Sequence, residues 1–486
     1  MKKQKSINLN FIMNALLTMS QFIFPLITFP YVSRVLLPAG TGKVSFATSF
    51  VSYFSMFAQL GIPTYGIRAC AKVRDNKEEL SRTVHELFII NMFMTVISYA
   101  VFFVMLATVP RLREEKLLYL IVSMAVLCNT LGVEWLYKAL EQYTYITIRS
   151  IVFKAISVIA MFLLIHEQSD YVIYGAISIF ASSASYLFNF ANAHRYVYFH
   201  KVGKYDFKRH MKPIAVFFAM ACATTIYTHL DTVMLGFMAT DTDVGYYNAA
   251  VKIKTILVSV VTSLGTVLLP RASYYVQNGL MQEYRKITRK AIDFAFVLAT
   301  PLVLYFIFFA KQGIYFLSGT AYAGSILPMQ IIMPTLLVIG ISNVTGIQML
   351  VPTGREKVVL YSEIAGAVVD VIINAILIPR YTSAGAAIGT LVAECVVLGV
   401  QLFYLRNEIN EIFNGVYYGK IILALILGSA ASLWCTRIHQ GSFIVLLISA
   451  CLFFGVYGGV LLLMKEPLVS DIFNQVVGKV FKKEGK

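Results

Sequence analysis

The sequence predicts an all-α integral membrane protein, on three observations. Fourteen apolar runs follow one another with short polar connections. Of the 486 residues, 58% are hydrophobic and only 14% charged, whereas a soluble chain carries about a quarter charged residues. Lys and Arg crowd every second connection. Most runs are about 20 residues long, enough to cross about 30 Å of hydrocarbon at about 1.5 Å per residue. They are continuously apolar rather than alternating, which selects helices over the strands of an outer-membrane barrel.

The runs lie at 9–33, 42–67, 85–109, 117–137, 150–166, 171–192, 213–238, 245–269, 292–317, 326–349, 359–378, 384–404, 418–436 and 443–464. The first follows Lys2, Lys3 and Lys5. It is too long for the core of a signal peptide, and no small-residue cleavage site follows it, so it reads as an uncleaved span. Pro25 and Pro30 in the first run, Pro301 in the ninth, and Pro328 and Pro334 in the tenth predict kinks, because proline frees a backbone carbonyl.

The basic loop 193–212 follows six spans and carries six Lys and Arg. It reads as an interfacial segment and a hinge between halves. Its His194, His200 and His210 read as solvated. The expected organisation is an N-terminal lobe over 1–200 (spans 1–6), a second lobe over 201–410 (spans 7–12) around a central cavity, and an appended helix pair with a basic tail over 411–486. Gly42…Ala47 opens the second span and Gly245…Ala250 the eighth. Six intervening spans preserve direction, so this echo implies an axis along the membrane normal.

The formal charge of +16 is a matter of topology rather than nucleic-acid binding. With span-end residues counted in their connections, 30 of the 41 Lys and Arg fall on the side of the N-terminus and 8 on the other. This asymmetry predicts both termini in the cytoplasm and an affinity for anionic membrane lipids on that face. The six scattered cysteines form no CxxC, and no metal-ligand spacing or nucleophile–base set appears. Neither a metal nor a cofactor is expected.

Charges inside hydrocarbon cost about 2.5–3.5 kcal/mol each on insertion scales, so each marks a candidate site. Asp231 lies in span seven, and Lys252 and Lys254 in span eight. The two lysines stand roughly 200° apart around a helix, so at most one faces Asp231. Glu363, Asp370 and Asn374 in span eleven share a helical face, and Glu394 in span twelve lies at the depth of Asp370. Neighbouring buried carboxylates are candidates for ion coupling. At the inner ends of spans two, four and five, Arg68, Glu134, Lys138, Glu141, Arg149 and Lys154 are candidates for an anionic headgroup. Arg34 is unusual in the sparsely charged outer side. Asp241-Thr-Asp243 spells DxD, which a turn between helices explains.

Four stretches resemble a known family. They are Phe29-Pro-Tyr-Val-Ser-Arg-Val-Leu-Leu-Pro-Ala-Gly-Thr-Gly42; Gln59-Leu-Gly-Ile-Pro-Thr-Tyr-Gly-Ile-Arg68; Val133-Glu-Trp-Leu-Tyr-Lys-Ala-Leu-Glu-Gln-Tyr143; and Asp231-Thr-Val-Met-Leu-Gly236 with Val244-Gly-Tyr-Tyr-Asn-Ala-Ala-Val-Lys-Ile253. They resemble Wzx-type polysaccharide flippases, the polysaccharide transporter branch of the multidrug/oligosaccharidyl-lipid/polysaccharide superfamily.

The resemblance covers spans one to twelve and implies a two-lobed bundle that is a transporter, not an enzyme. The implied substrate is an oligosaccharide repeat unit on undecaprenyl pyrophosphate, moved to the outer leaflet of the bacterial cytoplasmic membrane. Polymerase and chain-length proteins of the same pathway are possible partners. Arg34, Arg68, Asp231 and Lys252 fall in matched motifs; Lys254, Asp370 and Glu394 rest on depth alone. Competing readings are a cation-coupled drug exporter, a flippase for the peptidoglycan lipid precursor, and a membrane glycosyltransferase or polymerase. Short outer connections weigh against the last.

Overall fold

The structure is a computed structural model that describes residues 7–408, 413–438, 440–471 and 473–474. Lys2, Lys3, Lys5 and the tail lysines from Lys479 onward lie outside the described residues. The described residues are almost wholly helical and contain no strand. The helices named below are α1 (Ile7–Gln59), α2 (Ile62–Lys72), α3 (Lys77–Thr108), α4 (Lys116–Leu131), α5 (Tyr143–Leu164), α6 (Lys208–Met238), α7 (Asp241–Gln277), α8 (Met281–Phe308), α9 (Glu356–Tyr404), α10 (Tyr418–Ser432) and α11 (Ser442–Leu463).

Among the described residues, 11 helices are long and apolar enough to cross a membrane. The number is 12 if Thr320–Ile332 and Thr335–Leu350, bent by 43°, form one span. Pro334 stands at that bend. Two helices are too long for one crossing. With 53 residues, α1 would be a rod of about 80 Å. It is broken at Leu37 (φ 57, ψ 176), the residue before Pro38, where proline disfavours helical backbone. The 49-residue α9 is broken at Thr382 (φ 46, ψ −122). These two helices each bracket two of the expected runs, 9–33 with 42–67 and 359–378 with 384–404, which accounts for the lower helix count.

The described chain divides into two compact units, Met1–Gly245 and Tyr246–Lys486. In the first, Thr147 Oγ1 donates to Met13 O (2.9 Å), Lys154 Nζ to Ser20 Oγ (2.8 Å) and Tyr31 OH to Ile165 O (2.6 Å). All three contacts join residues 134 apart, so the first arm of α1 and the α5 region run parallel, as spans one and five must. The second arm of α1 runs antiparallel to α3, tied by Asn91 Nδ2 to Ala58 O (2.5 Å) and Ser98 Oγ to Phe54 O (2.8 Å). α6 packs along that same arm, with Gly236 against Phe46 and the Phe57 and Phe218 ring centroids 5.6 Å apart.

In the second unit α8 and α11 run antiparallel. Tyr457 OH donates to Val297 O (2.8 Å) and Tyr305 OH to Leu446 O (2.9 Å). Large apolar side chains such as Phe93, Val96, Val104 and Leu163 point outward from both α3 and α5. A bilayer covers such a face, and contact between the helices then depends on close packing and buried hydrogen bonds rather than on hydrophobic burial.

α9 folds back on itself. A Cβ on Gly389 would lie 2.1 Å from Asn374 Oδ1, and one on Gly366 2.5 Å from Val397 Cγ2. Gln401 Nε2 donates to Ser362 Oγ at 3.2 Å. These pairs are equidistant from the break, which makes α9 an antiparallel hairpin.

Candidate functional site

A pocket of about 490 Å³ lies inside the first unit, between the second arm of α1, α4 and α6. Ser52, Ser55, Met56 and Gln59 recur every three or four residues and so share one face of α1. Asn129 comes from α4, and Phe217, Met220, Thr224, Thr225 and His229 from α6. Asn129 Nδ2 (3.2 Å) and Gln59 Nε2 (3.3 Å) both donate to Ser55 Oγ, and His229 Nδ1 lies 3.2 Å from Ser49 Oγ. Gly61 forms the pocket's end with φ 71, and a Cβ there would lie 2.5 Å from the Phe217 carbonyl carbon. Glycine alone combines that left-handed backbone with so close an approach. Hydroxyl, amide and imidazole groups alternating with apolar surface make a wall suited to a neutral, hydroxyl-rich ligand.

Sequence reasoning missed these residues because it weighed charges. The signal available was a stripe of neutral polar side chains: Ser52, Ser55 and Gln59 on one span, Thr224, Thr225, Thr228 and His229 on another.

The charged candidates stand elsewhere. Asp231 is buried on α6, two residues beyond His229. Arg34 is exposed on α1, its Nη1 donating to Pro30 O. Arg68 is exposed on α2. Lys252 and Lys254 are half-buried on α7 in the second unit. None of these five lines the pocket.

The hairpin brings Asp370 and Glu394 almost level on opposite arms, both buried, with Asn374 Nδ2 donating to Asp370 Oδ1 (3.1 Å). The buried stripe of the first arm is Ser362, Gly366, Asp370, Asn374 and Ile378. Glu363 lies beside that stripe and is exposed, because packing against the second arm selects a four-residue repeat.

Between α4 and α5, Lys138 Nζ lies 2.7 Å from Glu134 on the short helix Glu134–Ala139, and Arg149 Nη2 on α5 lies 3.9 Å from Glu134. Glu141 pairs with Arg74 (2.9 Å), and Lys154 is tied to Ser20. Arg149 is buried between the Tyr145 and Tyr186 rings, 5.6 and 5.5 Å from their centroids. Its Nε and Nη1 have no hydrogen-bond partner among the described residues. Arg149 thus retains buried donors for an anion.

One expectation is corrected. His194 and His200 are exposed, but His210 lies inside α6 and is 2% exposed. It contacts Glu86 at 2.7 Å and Tyr65 OH at 2.8 Å. Glu86 is fully buried and also accepts from Arg209 Nη2 (2.6 Å), Arg82 Nε (3.2 Å) and the Asp206 amide (2.7 Å). This carboxylate draws the end of the basic loop onto α3, so the histidine leaves water. Asp241 pairs with Arg111, and Asp243 accepts from the Thr240 amide. The DxD pair thus begins and anchors α7, and among the described residues no cluster of three or more His, Cys, Asp or Glu is placed to hold a metal.

Residues 8–276 match the family described as polysaccharide biosynthesis protein. The chain is 24% identical over 408 residues to the "Putative O-antigen transporter" of Escherichia coli (strain K12), covering 83% of this chain and 97% of that protein. It is 25% identical over 402 residues to the protein of the same name from Shigella dysenteriae, covering 80% and 96%. Among solved structures it is similar in fold to the lipid II flippase MurJ in its inward closed conformation. That match has a TM-score of 0.58 at 16% identity and covers 96% of this chain and 99% of that one. On a match that spans more than half of its length, this multi-pass membrane protein belongs to the polysaccharide biosynthesis protein family.

Proposed function

We propose that this chain is a flippase, not an enzyme, and that it carries lipid-linked oligosaccharide repeat units across the bacterial cytoplasmic membrane. The carrying observation is the pocket walled by Ser52, Ser55, Gln59, Asn129, Thr224, Thr225 and His229 among membrane-spanning helices. Neutral hydrogen-bonding groups held in an apolar surround suit sugars, which present hydroxyls and apolar ring faces together. Family membership and the O-antigen transporters supply the substrate class.

In this reading both termini are cytoplasmic and the load is an undecaprenyl pyrophosphate carrier with its sugars. Lobes over 1–200 and 201–410 alternate access. Arg34, Arg68, Lys252 and Lys254 are the charged candidates for the pyrophosphate. An inside-negative potential favours outward movement of the anion by about 2.3 kcal/mol per charge per 100 mV. Asp370 and Glu394 provide the carboxylates through which a proton would reset the carrier.

Reconstitution tests this. Proteoliposomes receive a fluorescent undecaprenyl-pyrophosphate oligosaccharide, and its headgroup is titrated from outside with an impermeant lectin. The expected result is time-dependent exposure of the inner pool, accelerated by a potential. Exposure no faster than in protein-free vesicles would sink the proposal.

A further inference from the structure

In the second unit, α8 carries a buried acidic residue that the transport reading does not use. Asp293 is 8% exposed, and its Oδ1 has no hydrogen-bond partner among the described residues. Its carboxyl group is hydrogen-bonded to that of Glu466, which is fully buried just beyond α11. Glu466 opens a further helical segment: its Oε1 accepts from the Leu468 amide (3.0 Å) and its Oε2 from the Val469 amide (2.7 Å). Leu468 packs in one apolar cluster with Ala291 and Ile292 of α8 and Ile421 of α10. The carboxyl pair therefore lies where this segment docks on the bundle.

Two ionised carboxylates offer acceptors only, so a hydrogen bond between them requires one proton. Both Glu466 oxygens already hold amide donors, which places the proton on Asp293. As a neutral acid, Asp293 has a hydroxyl to donate to Glu466. Its remaining oxygen is then a carbonyl, whose lack of a donor is far less unfavourable than that of a buried charge.

The neighbouring groups have contacts of their own. Lys290 pairs with Asp471 (3.2 Å) at the surface. Lys420 on α10 donates to Lys465 O (3.1 Å), and Arg289 lays its stem along Gly415. The Tyr418 and Tyr457 hydroxyls donate to Phe413 O (3.4 Å) and Val297 O (2.8 Å).

We propose that Asp293 and Glu466 form a one-proton binding site that fastens the segment 466–471 onto α8, and that loss of the proton releases the segment. Without it, two buried charges of the same sign would face each other with no donor between them. The site does not depend on transport or on the Asp370 and Glu394 carboxylates.

The test is hydrogen exchange of residues 466–471 in the full-length protein in detergent, corrected for the intrinsic exchange rate, between about pH 5 and about pH 8. A carboxyl released to water ionises near about pH 4, so docking takes up one proton above that range. Protection is expected to fall by about tenfold per pH unit, the slope of a one-proton step. D293N, whose amide donates to Glu466 at every pH, and D293L, which has no proton to lose, are expected to give flat profiles. K290Q, which breaks the surface pair with Asp471, is expected to lower protection but keep the slope. The infrared difference between wild type and D293N is expected to show a neutral carboxyl band, and its absence would overturn the proposal. Should D293N not fold, D293L decides. A flat wild-type profile, or a folded D293N or D293L with the wild-type slope, also overturns it. So does protection that follows sodium concentration at fixed pH, the mark of a metal cation between the carboxylates.

Discussion

A Cβ on Gly66 would stand 2.8 Å from Cδ2 of the Trp135 indole. Gly66 lies on α2 and Trp135 on the short helix Glu134–Ala139, so two of the four motifs behind the family resemblance press directly on each other. Around them Ile62, Cys70, Leu136 and Tyr137 are fully buried. The motif residues here make packing, and their spacing in sequence hides that they touch.

Gly66→Ala therefore forces the indole aside and is expected to destabilise the protein by about 1–3 kcal/mol, the usual range for overpacking. Thermal unfolding in detergent checks it. Trp135→Leu combined with Gly66→Ala should recover part of the loss, because the clash partner is smaller. An unchanged melting temperature for Gly66→Ala alone would contradict the contact.

Glu86→Gln removes the carboxylate that Arg82, Arg209 and His210 share. Breaking a fully buried pair costs about 3–5 kcal/mol. The Arg82 and Arg209 side chains are 33% and 32% exposed, so about 2 kcal/mol is expected after screening. Limited proteolysis of the 193–207 segment should speed up in the variant, since that segment is held through the Asp206 amide.

Gln401 bridges the hairpin. Its Nε2 donates to Ser362 Oγ (3.2 Å) and its Oε1 accepts from Thr345 Oγ1 (2.5 Å), with all three residues buried. Gln401→Leu leaves two buried hydroxyls without that partner and is expected to cost about 1–3 kcal/mol. Gln401→Glu keeps an acceptor for Thr345 and serves as the comparison in the same melting series.

Within the proposed flippase, Thr225→Leu and Asn129→Leu fill the pocket and remove its hydrogen-bonding groups. Export of the repeat unit in cells is expected to fall at least about tenfold, the equivalent of about 1.4 kcal/mol, at unchanged membrane abundance. Asp231→Ala, Lys252→Ala and Asp370→Asn probe the charged candidates in the same assay. Wild-type export by all three would remove them from the mechanism.

The helical class and the approximate position of the apolar runs were legible, although the described residues form 11 or 12 membrane-length helices where fourteen runs were expected. Leu37 before Pro38 and Thr382 after Pro379 fall between expected runs, because hydrophobic length and proline act locally. That Asp370 and Glu394 stand at matched depth on the two arms of α9 was also readable, since a short connection folds adjacent spans back. The neutral wall of the pocket was not. Ser and Thr in a span look like ordinary helix residues, and only the approach of α6 to α1 and α4 gathers them.

His210 marks the boundary between the two kinds of knowledge. From sequence it belongs to a basic, solvated loop; in the fold it is buried on a glutamate 124 residues away. Composition and periodicity by themselves determined that this chain is a helical membrane protein and where its helices turn, because the cost of unsatisfied backbone in lipid leaves a span no alternative. Which polar side chains meet was decided by tertiary structure alone, because a contact between distant helices depends on side-chain geometry that local sequence does not encode.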